Sequence, residues 1–159
     1  MRRALAPLAV LLVAGCGSSQ HAATTTTTPV PRPSASAVDI RFARTLLAHV
    51  RADAQIDQLA SRKGSTGAVR SAATRRFARD EETAAALTRF LRSVHVAVPP
   101  LPLSNPPAWN ALVVVSGYLF DATYAPGVRA RSAADAAIAR RELRAGTSPA
   151  AKRIARSAA

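Results

Sequence analysis

Two pairs of charged residues recur at helical spacing. His49 and Asp53 stand four residues apart, and so do Arg131 and Asp135. Each pair therefore shares one face of a helix. Two carboxylates, an imidazole and a guanidinium brought together can close into buried ion pairs, which survive desolvation only when each charge is matched. The alternative is a hard-metal site from His49, Asp53 and Asp135, with the charge of Arg131 set against it. A third arrangement leaves all four facing solvent. No other constellation offers chemistry. The sequence holds no HExxH, no CxxC and no glycine-rich phosphate loop, and no nucleophile triad can be argued from it. A hydrolase or oxidoreductase finds no support, and the expectation is a non-enzymatic chain without a cofactor.

The elements that must carry these residues follow from composition. The 159 residues are 48% apolar but only 4% aromatic, and 22 Lys and Arg face 9 Asp and Glu for a net charge of +13. That length suits one domain, and the Ala- and Arg-rich composition favours helix. His95, before a proline-rich stretch, is expected in solvent, and Trp109 as packing.

The first 35 residues are of a different kind. Met1-Arg2-Arg3 precedes the apolar run Ala4 to Val13, too short to span a bilayer but suited to a signal peptide. Val13-Ala14-Gly15 leads into Cys16, the sole cysteine. This arrangement resembles the lipobox of bacterial lipoproteins, which implies a leader over 1–15, lipidation of Cys16, and attachment to the outer face of the cell membrane. Residues 16–35 hold a threonine run and three prolines without apolar periodicity, and read as a disordered linker. The domain is expected over 36–159.

Within the domain, Ser36 with Asp39 forms a near capping box. Phe42, Leu46, His49, Asp53, Ile56 and Ala60 then make one helical stripe ending at Gly64. A second helix should run from about Thr66 to Val94. Residues 96–107 contain five prolines and must be a crossover. A third helix is expected from about Trp109 to Ala145, kinked or broken at Pro126, and a short fourth from Ser148 to Ala158. Sliding the chain on itself by 82 positions pairs Asp39 with Asp121, Asp53 with Asp135, Ile56 with Ile138, Arg62 with Arg144 and Gly64 with Gly146. The fold expected is all-α: a ferritin-like four-helix bundle of two repeated hairpins, 38–94 and 108–159, with a truncated fourth helix. That shortness would leave Leu87, Leu91, Leu112 and Val113 without cover unless Leu101, Leu103 and Trp109 of the crossover fold over them or a second chain fills the gap. The apolar crossover favours the first. The crossover solution implies a mostly monomeric protein.

Asp39-x-x-Phe42, His49, Gly64-x-x-Gly67-Ala-Val69-Arg70, Gly117-x-x-Phe120-Asp121-x-x-Tyr124 and Glu142-Leu143-x-x-Gly146-x-x-Pro149-x-x-Lys152 together resemble the bacterial domain-of-unknown-function family 305. The resemblance implies a ferritin-like helical fold, with copper or another metal held by paired His and Met. The family's His pairs fall here on His49-Val50 and Arg131-Ser132. Its Met positions fall on Thr45, Leu46, Ile56, Gly127, Val128 and Ile138. The only Met is Met1, so the fold carries over and the metal chemistry does not.

The function expected is a binding or structural module of the cell envelope, with residual copper or iron handling as the alternative. Residues 129–159 carry eight Lys and Arg against Asp135 and Glu142. Anionic lipid or cell-wall polymers are the partners that such charge and an exported location would select. Nucleic acid is not expected.

Overall fold

The computed structural model describes residues 34–101 and 106–159. The leader, Cys16, most of the linker and Leu103 lie outside them. Five helices follow in order: α1 (Ala37–Lys63), α2 (Gly67–Ser93), α3 (Pro107–Val113), α4 (Gly117–Ala145) and α5 (Pro149–Ala158), and there is no strand among the described residues. None of these helices is long and apolar enough to cross a membrane.

Local chemistry sets most of the ends. Ser36 accepts from the Asp39 backbone while Asp39 accepts from the Ser36 backbone, a reciprocal capping box that starts α1. Thr66 and Ser148 cap α2 and α5 by the one-way bond alone, accepting from the amides of Val69 and Ala151. α2 closes with a Schellman turn: Val96 N–H donates to Leu91 O at 2.9 Å and His95 N–H to Arg92 O at 3.1 Å. His95 takes the left-handed position at φ 57 that glycine usually fills, and its side chain is exposed.

Two expectations are corrected. The expected third helix is two helices, and the break falls at 114–116 instead of at Pro126, which lies within α4. The β-branched run Val113 to Val115 is a poor helix former, and Gly117 turns the chain at φ +59, where other residues are strained. Gly64 ends α1 as its place after the stripe leads one to expect, with an extended backbone at φ −52 and ψ 130. What it supplies is room, since a Cβ there would meet Ala60 O and Val69 Cγ1, each at 2.9 Å. The gap over the bundle is filled differently too. Leu87, Leu91 and Leu112 are buried, whereas Leu101 is 63% exposed and Val113 is exposed. Val96 and Val98, at the start of the crossover, pack against the core, and Arg51 fastens it by donating to Pro99 O at 2.7 Å. The apolar residues nearest the end of α2 reach the core first.

The core comes in two parts. Phe42, Leu46, Leu47 and Val50 of α1 meet Leu87, Phe90 and Leu91 of α2 together with Ala139, Ala151 and Ala155 of α4 and α5. Ile56 and Ala60 meet Ala73, Leu112, Phe120 and Tyr124. Between them α1 carries Asp53 and Asp57, both buried. A polar belt therefore crosses the molecule between two apolar regions.

Candidate functional site

The belt is built from one stripe of α1 facing α2 and α4. His49 Nδ1 lies 2.9 Å from Asp135 Oδ1, and the Arg131 guanidinium pairs with Asp53. The four residues picked out by spacing are thus engaged with one another across the α1–α4 contact. They do not all lie in the interior, because the His49 side chain is 41% exposed while Asp53 is buried. A shift of 82 positions carries the His49–Asp135 contact onto Arg131–Asp53, so the two contacts are mates.

The belt also holds residues that spacing did not flag. Asp57, wholly buried, accepts from the Tyr124 hydroxyl at 2.7 Å and from Arg76 Nε at 3.1 Å, with Arg131 4.0 Å away. Arg76 also donates to Ser132 at 3.3 Å. Asp80 lies one turn beyond Arg76, with Oδ2 buried and without a hydrogen-bond partner among the described residues. Asp57 was legible in principle, since it extends the 49, 53 spacing by another four residues. Its repeat position is Ala139 and that of Arg76 is Ala158, so a search for repeated residues passes over both.

Four carboxylates here face two guanidinium groups and one imidazole. Burial pushes Asp53 up to about 6. Arg131 opposes this, while the charges of Asp135 and Asp57 add to it. Burial, then Asp57 and Asp53, push Asp80 up to about 7. Burial raises the Tyr124 hydroxyl well above its ordinary value, and its bond to Asp57 adds to the effect. Arg76 is held in its charged form: burial works against the charge, but Asp57 and Asp80 outweigh it. Among the described residues no group of three or more His, Cys, Asp and Glu is placed to hold a metal ion.

Compared with protein-family models, curated proteins and solved structures, the chain matches none.

A second polar set lies where α1 begins and α4 ends. Asp39 is completely buried. Its carboxylate accepts from Ser36 N–H at 2.6 Å and Oγ at 2.7 Å, from Thr147 N–H and Oγ1 at 2.9 Å each, and from Ser148 N–H at 3.0 Å. Burial alone would raise this carboxyl, but the bonds from Ser148 and Ser36 hold it well below the usual range. Glu142 is buried beside it with both carboxyl oxygens lacking a partner among the described residues. Burial, and then Asp39, push it up to about 7. Shifting Asp39 and 147–148 by 82 positions gives Asp121 and 65–66. Asp121 does accept from Ser65 N–H at 3.0 Å and Oγ at 2.5 Å. Each half thus holds the start of the other half's second helix.

On the outer side of the α1–α4 contact, Ala48, Ala52, Ala130 and Ala134 line an open apolar groove of about 420 Å³ beside His49 and Arg131. These are again two repeat pairs.

Proposed function

We propose that this chain is a non-enzymatic lipoprotein of the cell envelope, held at the outer face of the membrane through Cys16. In this reading α1, α2, α4 and α5 form a ferritin-like four-helix bundle akin to family 305, with α3 set in the connection, and serve as a binding or structural module. The relation of the halves is supported by the two sets of bonds that exchange under one shift of 82 positions. The observation that carries the loss of ligand chemistry is the pairing within the belt. Arg131 stands on Asp53 and Asp135 stands on His49, so the polar positions that would hold a ligand are occupied with each other.

Copper or iron handling remains the competing reading, because contact through Nδ1 leaves the second ring nitrogen of His49 for a ligand. Metal analysis of the purified chain after incubation with copper and iron salts separates the two. The result expected is no stoichiometric metal. One ion per chain, lost in His49→Ala, would replace the first reading with the second. Attachment is tested separately: Cys16→Ser should release the protein from membranes or leave it unprocessed. Recovery of the variant on membranes at its normal mature mass would remove the lipid anchor from the proposal.

A further inference from the structure

Of the five large hydrophobic side chains exposed among the described residues, four lie at the elbow between α3 and α4. Val114 is 80%, Tyr118 81% and Leu119 64% exposed, and Val113 continues the patch. Large side chains grouped this way mark interaction sites, whereas single exposed ones do not. The elbow is held firmly from beneath. Lys63 donates to Val113 O at 2.7 Å and stands 5.7 Å over the Phe120 ring, while Leu112 and Phe120 are buried under it.

The charge around the patch indicates what covers it. The end of α1 and the start of α2 bring Arg62, Lys63 and Arg70 to this end of the molecule, with Arg70 donating to Gly64 O at 2.7 Å. The acid that shares this end, Asp121, is taken up by Ser65. Two copies meeting at their elbows would bring these cations together. An anionic surface would be attracted, and cations near such a surface add to the apolar contact. Tyrosine beside aliphatic side chains is the composition that settles at a bilayer interface, ring in the apolar layer and hydroxyl in water.

We infer that the α3–α4 elbow, through Val114, Tyr118 and Leu119 with Arg62, Lys63 and Arg70 around them, docks on the surface of an anionic lipid bilayer. This surface is separate from the Arg-rich stretch 129–159, and it does not depend on acylation of Cys16. It is compatible with such acylation. α1, with 27 residues, is about 40 Å long, and the twenty residues 16–35 can span at most about 72 Å.

Trp109, the only tryptophan, sits in α3 next to the elbow and reports its depth. The full chain is reconstituted into vesicles of phosphatidylglycerol or of phosphatidylcholine, each with brominated acyl chains. Trp109 emission should be quenched and blue-shifted in phosphatidylglycerol and much less so in phosphatidylcholine. Val114→Ser combined with Leu119→Ser should abolish the quenching, and Arg62→Glu with Arg70→Glu should reduce it. A chain carrying Trp109→Phe and Ala145→Trp places the probe at the end of α4 and should stay unquenched. The proposal falls if Trp109 is not quenched in phosphatidylglycerol, or if the Val114 and Leu119 substitutions leave quenching unchanged. It falls equally if Ala145→Trp is quenched to the same degree. An elbow-dependent dimer in sedimentation, with Trp109 unquenched, would assign the patch to a second copy instead.

Discussion

Asp39 and Asp121, 82 positions apart, clamp the starts of α5 and α2 in opposite surroundings. Asp39 is sealed from water, accepts from three residues and has the buried carboxyl of Glu142 beside it. Asp121 accepts from Ser65 at an exposed edge, and its hydrogen bonds from Ser65 also hold it below its usual range. The residue at the Glu142 position in the first half is Ala60, which is plain core. The geometry of the clamp is therefore independent of its burial, but its energetic weight is not. A hydrogen bond to a buried charge is worth far more than one shared with water.

The first way to break that comparison is to remove each acceptor. Asp39→Ala strands buried donors from Ser36, Thr147 and Ser148, and should cost about 4 kcal/mol in urea unfolding. Asp121→Ala should shift the melting temperature by no more than about 2 °C. Equal losses would show that the exposed clamp matters as much as the sealed one.

The glycines beside the clamps come next. A Cβ on Gly146 would collide with the Glu142 carboxyl, whereas on Gly64 it would press on the Ala60 carbonyl. Either Gly→Ala change should cost about 2 kcal/mol. Glu142→Ala makes the second half like the first at this position, so it should recover part of the Gly146→Ala loss but none of the Gly64→Ala loss. A double-mutant cycle measures that coupling.

Acidity sharpens the contrast further. Asp53 at about 6 and Asp80 and Glu142 at about 7 are raised above their unfolded values near 4. The folded protein therefore binds more protons than the unfolded chain between about pH 4 and pH 7. The stability these groups contribute is full below that window and is lost as pH rises through it. Asp39 is lowered, so its share is present above its ordinary range and lost only in stronger acid. The urea midpoint should fall steadily between pH 4.5 and pH 7.5. Glu142→Gln should flatten that slope, and a midpoint that rises with pH would contradict the assignment.

The smallest effect lies outside both clamps. His95→Gly relieves a left-handed residue at the end of α2 and should add about 1 kcal/mol of stability. No gain would mean that the His95 ring makes contacts that compensate.

The helix boundaries were legible where a cap defined them. Ser36, Thr66 and Ser148 satisfy the first amides of their helices through their own side chains, and that is written locally. The α3–α4 elbow was not legible, because Pro126 is the stronger breaker by type and only packing decides that Val114 to Ser116 yields instead. The contact of His49 and Asp53 with Arg131 and Asp135 could be read from matched spacing. Tyr124, Arg76 and Asp57 meet from three helices with no repeated counterpart for the polar group, and only the packed structure joins them. Gly64 shows the same limit: its position is readable, but its reason is a neighbour's carbonyl.

The reciprocal clamps have a consequence for how the molecule is joined. Asp39 reaches 108 and 109 positions along the chain, and Asp121 reaches back 56. None of these bonds runs through the proline-rich crossover. A cut there would leave the hairpins holding each other by Asp39, Asp121, the belt and the apolar contact of α1 with α4. The peptide between them sets how often the halves meet, not whether they fit. Each hairpin acts toward the other as a subunit acts toward its mate, so the covalent link is a matter of concentration more than of architecture.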